Sequence, residues 1–250
     1  MARFLIPPDG RPESGHIILG PEESRHALRV LRLRVGHSVQ LLDARGLSYA
    51  GIVVDSDDGR LHVELSGQPA MNGASQTLPV DAAIALVRTD AMEWIVEKLC
   101  ELGVERILPV VTDRCVVRPS DDHRRDAKLE RWRKLALQSC KQCGRPSPPV
   151  IDPLRKWRDL LPLLSGYGQV LLPTLARPGE PLASAIRRPL SGGAQRRLYM
   201  IGPEGDFTPV EVDEACAAGA LPVTLGPLTL RAETAALAVA AAYRAFWDVL

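Results

Sequence analysis

Hydrophobic and polar positions change rhythm once along this chain. In roughly the first quarter, short β-prone runs at residues 3–6, 16–19, 38–43, 47–54 and 61–65 predict five strands. Asp58-Gly59 separates the last two as a hairpin turn. One helix interrupts them near Pro21, with Glu22 and Glu23 in the first turn, where the helix dipole favours acids. A small, nearly closed β-barrel with one helix is the expected outcome. Residues 67–79 are polar, bear glycine, lack periodicity and read as a linker.

Beyond that segment strands and helices alternate. Residues 80–87 predict a strand. Asp90 with Glu93 reads as a capping box opening a helix to about Leu102, with Trp94, Ile95, Leu99 and Leu102 on its core side. A strand at 106–111, a basic helix near 124–141, a short strand at 150–151 and a helix over 154–164 follow. Residues 169–172, 198–201 and 223–225 are apolar runs short enough to be buried strands. A helix with eight alanines starts near Ala232. The alternation predicts an α/β fold, a parallel sheet covered by helices. The expected domains are a β-barrel at 1–68 and an α/β domain at 76–250.

Candidate chemistry gathers where strands end. Gly202-Pro203-Glu204-Gly205 follows one strand and Gly226-Pro227 another, and a helix follows each; Pro173-Thr174-Leu175 after Leu172 makes a third loop. Open α/β sheets bind ligands at that place. Glycine admits a ligand to the backbone, and proline sets the loop's shape beforehand. No lysine follows Gly205 to make a phosphate-cradling loop, and GPEGDF does not match a dinucleotide fingerprint. Glu204 and Asp206 repel phosphate and suit a cationic or neutral ligand, or else cap the next helix.

Composition narrows the class. The chain has 250 residues, 46% hydrophobic and 24% charged, as in globular proteins, and no apolar run nears the roughly 20 residues of a membrane span. The start, MARFLIPPDG, has no signal-peptide core, and a cytoplasmic enzyme is expected. Five cysteines without a second ligand pair for Cys140 and Cys143 favour reduced thiols over a disulfide framework or a metal site. A net charge of +1 hides an excess of five positive charges over residues 118–145 and of five negative ones over 204–250. Arg25, Arg29 and Arg32 stand at i, i+4 and i+7 of the first helix, with Leu28 and Leu31 on its apolar side. A solvated face would be the default for a lone helix. Three arginines without an interleaved acid give weight to an RNA-docking face, because arginine forks match phosphate and stack on bases.

Several ordered motifs resemble one family. They are HALRVLR at 26–32, EKLCELGV at 97–104, QSCKQCGR at 138–145, GPEGDF at 202–207 and LGPLTLRAETA at 225–235. Together they are similar to the small-subunit ribosomal RNA uracil-N3 methyltransferases of the SPOUT superfamily. Asp206 stands where many relatives have glycine, Ala232 where many have threonine, and Cys143 where serine is usual. The resemblance implies a PUA-like RNA-binding barrel and a SPOUT α/β domain tied in a trefoil knot and pairing as a homodimer. It implies 16S rRNA of the small ribosomal subunit as substrate and S-adenosylmethionine as cofactor. The expected cofactor wall is Leu172, Pro173, Thr174, Ile201, Gly202, Pro203, Glu204, Gly205, Leu225, Gly226, Pro227, Leu228 and Leu230. Arg25, Arg29, Arg32 and Arg145 are expected on RNA, and no metal is implied.

Methylation at uracil N3 needs the N3 proton removed and charge on O2 and O4 relieved. Glu233 is the candidate base and Arg231 the candidate for stabilising the uracil anion or holding the target phosphate. Against these roles stands a plain helix-start charge with a salt bridge. A ribose 2′-O methyltransferase of the same superfamily and a non-catalytic RNA-binding assembly factor are the alternatives.

Overall fold

The structure, a computed structural model, describes residues 1–7, 10, 12–43, 47–56, 58–71, 80–118, 121–145, 147–190 and 195–246. The chain divides into Met1–Gln76 with Cys140–Pro148, and Thr77–Ser139 with Pro149–Leu250.

In the N-terminal unit the alternating runs become β1 (Ala2–Leu5), β2 (His16–Ile18), β3 (Ser38–Leu42), β4 (Leu47–Asp55) and β5 (His62–Met71), in the order β1-β3-β4-β5-β2. β1 and β3 are parallel and the other pairs antiparallel. Phe4, Ile17, Val39, Leu41, Val53 and Val63 share one buried core. Register shifts between Ser48 and Ala50 and between Val53 and Asp55 curl the sheet. The hairpin turn holds, with Gly59 at φ +74°. β5 runs to Met71, pairing with Leu47, so the first five residues read as linker are strand; residues 72–79 lie outside the described residues.

The predicted first helix is only partly regular. α1 (Pro21–Arg25) passes into a π-helical turn, His26–Val30, where the Leu31 amide donates to His26 O (3.1 Å). Arg32 then takes φ +53°, outside any helix. The expected single face therefore fails: the i+5 bond widens the turn between Arg25 and Arg29, and the helix has ended before Arg32. Leu28 packs on the core as expected, with Ala27 buried near it, whereas Leu31 is exposed along with Val30.

The second unit has an eight-stranded sheet, parallel in every described pairing. It consists of β6 (Val80–Ala85), β7 (Arg106–Val111), β8 (Val150–Ile151), β9 (Arg155–Lys156), β10 (Gln169–Pro173), β11 (Glu180–Pro181), β12 (Arg197–Ile201) and β13 (Leu221–Thr224). The order is β11-β13-β10-β12-β6-β7-β8, with β9 on β7. Successive residues point to opposite faces, so each central strand feeds two cores. Ala82, Ile84, Tyr199 and Ile201 join α2 (Thr89–Glu101), α3 (Asp122–Cys143) and α7 (Ala232–Phe246) on one side. Ala83, Leu198 and Met200 join α4 (Trp157–Leu160) and α6 (Pro209–Ala217) on the other. A short α5 (Leu182–Ile186) completes the unit.

Three local expectations change. α2 starts at Thr89 with Arg88 as its cap and no side-chain cap bond; Asp90 faces Arg88 (3.7 Å) and Glu93 is held by Arg131 (2.6 Å), so the capping box does not form. Trp94 is exposed, and Met92 and Val96 take the buried positions beside Ile95 and Leu99. Residues 154–164 are not one helix: β9 and α4 precede a 3-10 turn, Leu161–Gly166, because Pro162 has no amide to continue the α ladder. Among the described residues no helix is long and apolar enough to cross a membrane.

Candidate functional site

β13, β10 and β12 lie side by side, and the turns beyond their carboxyl ends open on one cavity of about 590 Å³. Pro173 and Thr174 come from the first turn, Ile201, Gly202, Pro203 and Glu204 from the second, and Leu225, Gly226, Leu228 and Leu230 from the third. Arg231 and Glu233, at the start of α7, reach the same cavity. Three predicted wall residues do not. Leu172 is fully buried in the sheet, Gly205 packs on the Arg114 side chain, and Pro227 points to solvent. Leu175, Asp206 and Thr229 line it from the loops already read as candidates, whereas Arg88, Ala91 and Val116 were missed. Arg88 follows the end of β6, so the strand-end rule applied to that strand would have found it. Val116, Leu175 and Leu228 leave an exposed apolar rim.

The second loop is strapped from three sides. Arg114 Nη1 donates to Gly205 O (2.8 Å) and Phe207 O (3.2 Å). The Arg88 amide donates to Glu204 Oε1 (3.4 Å). Asp206 Oδ2 accepts from Thr174 Oγ1 (2.9 Å) and the Leu175 amide (2.7 Å). Gly202 suits a close approach, since a Cβ there would be crowded at 3.1–3.2 Å from Asp206 atoms. Neither Glu204 nor Asp206 caps the following helix. Thr208 and Glu211 form that capping box, and the buried Glu211 also accepts from the Asp113 amide (2.8 Å).

The third loop is set by Thr224, whose Oγ1 accepts the Gly226 amide (3.2 Å), and by Gly226 at φ +116°, a conformation natural to glycine. α7 is bolted to the sheet by Tyr199 OH donating to Ala236 O (3.2 Å) and Tyr243 OH donating to Gln169 Oε1 (2.8 Å). Burial pushes both phenols upward in pKa and keeps them neutral donors. The bolts fix the start of α7 beside the loop. There the Arg231 and Glu233 side chains stand 4.0 Å apart, Arg231 84% exposed and Glu233 24%. That separation is a loose contact, leaving Arg231 free to turn toward an incoming group.

The arginines expected on RNA belong to the N-terminal unit. Arg25, Arg29 and Arg32 are exposed, and Arg145 is half-buried beyond Gly144, which ends α3 at φ +81° against the Arg3 guanidinium. Much of the basic charge over 118–145 is already engaged. Arg125 pairs with Asp122 (2.9 Å), Arg133 with Glu130 (3.0 Å), Arg131 with Glu93, and Lys141 with Glu23. Among the described residues no group of three His, Cys, Asp or Glu side chains is arranged to hold a metal.

The chain, with a parallel α/β unit whose pocket lies at strand ends and a separate unit built on a small curled sheet, matches the class of RNA methyltransferases. The family described as RNA methyltransferase domain matches residues 74–244, and the RNA methyltransferase PUA domain matches 19–66. The chain is 31% identical over 236 residues to the ribosomal RNA small subunit methyltransferase E of Synechocystis, covering 93% of this chain and 74% of that protein. It is 27% identical over 242 residues to the Mycobacterium bovis protein of the same name, covering 94% and 89%. The crystal structure of the Neisseria gonorrhoeae protein of that name, bound to S-adenosyl methionine, matches with a TM-score of 0.81 at 30% identity, over 99% of this chain and 98% of that one. The chain belongs to the ribosomal RNA small subunit methyltransferase E family.

Proposed function

We propose that this protein methylates N3 of a uridine in the 16S rRNA of the small ribosomal subunit, using S-adenosylmethionine held at the strand-end pocket. The observation that carries the reading is the convergence of three strand-end loops, Arg231 and Glu233 on one cavity in a chain of this family. The residues suit the cofactor, which the Neisseria relative is described as binding. The cavity volume lies in the range of about 300–1,000 Å³ usual for small-molecule sites. Leu225, Leu228 and Leu230 offer apolar walls for adenine, and Glu204 and Glu233 offer carboxylates to a sulfonium or ammonium. Arg88 and Arg231 are at hand for a carboxylate.

When bound, the cofactor supplies an electrophilic methyl on sulfur. The chain's own work is to align uracil N3 with it, take the N3 proton and relieve the charge left on O2 and O4. Glu233 takes the proton and Arg231 meets the anion or the target phosphate. N3 is part of the pairing edge, so the target base must be unpaired or turned out of its stack. Arg25, Arg29, Arg32 and Arg145 of the N-terminal unit contact that RNA. Placement of β12 between β10 and β6, out of chain order, supports a knotted path. The alanine-rich α7 suits close packing in a homodimer, and the setting is the cytoplasm. Primer extension on small subunits treated with protein and cofactor tests the reading. A new stop at one uridine is expected; label incorporated without a stop favours a 2′-O product, and no incorporation at millimolar cofactor favours an RNA-binding assembly factor.

A further inference from the structure

Asp206 combines three features that the loop's shape alone does not require. It adopts φ +60°, a left-handed conformation that costs a side-chain-bearing residue and persists where surrounding contacts hold it. One of its oxygens, Oδ2, accepts both the Thr174 hydroxyl (2.9 Å) and the Leu175 amide (2.7 Å), thirty-odd positions back along the chain. Its main chain closes the turn through its amide to Pro203 O (2.9 Å), and its atoms lie close over Gly202, where a Cβ would be crowded. Thr174 is further tied, by its amide to Val223 O (3.4 Å) and by its hydroxyl accepting the Ala176 amide (3.1 Å). One carboxylate thus joins the turn after β10 to the turn after β12, and through Thr174 to β13.

We propose that Asp206 is a positioning residue, a latch that presets the distance between two pocket walls before the cofactor enters. The inference rests on the pocket being the S-adenosylmethionine site, and it extends that reading by assigning a role to a residue that only lines the cavity. The physical reason is preorganisation. Both loops are short and glycine-bearing, and without a cross-link they would pay the cost of ordering on binding. A charged acceptor with two donors is the strong form of such a link. The latch acts through geometry, since both bonds converge on a single oxygen. Asparagine, which tolerates the left-handed region, can present one oxygen to the same two donors.

Three variants separate latch from charge. D206G relieves the backbone and removes the latch; D206N keeps the latch and removes the charge; D206A removes the latch and keeps the strain. Calorimetry is done with S-adenosylmethionine and with S-adenosylhomocysteine, which lacks the sulfonium charge. D206G is expected to bind both about tenfold more weakly with an unchanged Tm, whereas D206N binds both within about twofold of the parent. D206A is expected to lose affinity and Tm together. In the cofactor-free protein, amide exchange at Leu175 should quicken in D206G and D206A but not in D206N. D206N as weak as D206G, or a loss confined to the charged ligand, overturns the latch in favour of direct electrostatics. Unchanged Leu175 exchange in D206G overturns it as well. If the parent bound no S-adenosylmethionine while the exchange pattern held, the cofactor reading would fall and the latch would stand.

Discussion

The pocket loops and the arginine segment of the N-terminal unit are opposite solutions to recognition. Around the pocket, side chains are spent on backbone: Arg114, Asp206, Glu211 and Thr224 each hold a loop's amides or carbonyls, and Tyr199 and Tyr243 hold α7. Along residues 25–32, the arginines are exposed at the end of α1, on the π-helical turn and at a left-handed residue beyond it. The first region is shaped in advance and can recognise a small molecule by fit. The second presents exposed charge, and in the proposed function that charge meets a polyanion, which rewards number and sign over position. One protein of balanced total charge can carry both because the two needs fall on different stretches of chain.

Three variants probe that contrast, from the largest effect down. Glu233→Gln keeps size and hydrogen bonding while removing the basic group. Single-turnover methyl transfer should fall about 100-fold or more with cofactor affinity unchanged; near-normal turnover would return Glu233 to a helix-start charge.

A middle-sized effect belongs to a polar group of the α/β unit away from the pocket. Asp152 is buried. Burial alone would raise its pKa, but the Arg106 fork (2.9 and 2.8 Å) and Arg155 (2.6 Å) outweigh burial and hold the carboxyl below its ordinary value. A depressed carboxylate contributes stability that is present above its unfolded pKa and lost as pH falls through the folded one. Denaturant titration should therefore show a decline below about pH 4 that Asp152→Asn flattens, at a cost of about 1–3 kcal/mol at neutral pH. Equal pH dependence in both proteins would remove Asp152 from the account.

The smallest effect is expected on RNA. Reversing Arg29 and Arg32 to glutamate should weaken rRNA binding about tenfold at low salt, less as salt rises, and leave S-adenosylmethionine affinity alone. Loss of cofactor binding or of Tm would mean that the segment is structural, and the contrast with the pocket would dissolve.

Much of the fold could be read before any coordinates. Strands 106–111 and 150–151 match to the residue, as does the start of α7 at Ala232, because an apolar run bounded by turn residues has one economical conformation. Readings failed where two local signals competed. Asp90 and Glu93 have capping-box spacing, yet arginines claim both side chains. Trp94 is apolar enough for the core but falls outside the buried arc of α2. The arginine periodicity assumed 3.6 residues per turn through a segment that widens to a π-turn and then leaves the helix.

By itself the sequence determined what depends on neighbours along the chain: strand and helix types, the alternation that makes a parallel sheet, and loops where glycine and proline permit a ligand. Its motifs also carried the family. Only the tertiary structure decided which loops meet, because strand order brings β13, β10 and β12 together from across the chain. It alone gave Asp206 two partners about thirty residues away and set Arg88 on the cavity wall. Local propensity acts over a few residues, whereas a site is assembled by long-range packing that no spacing rule encodes.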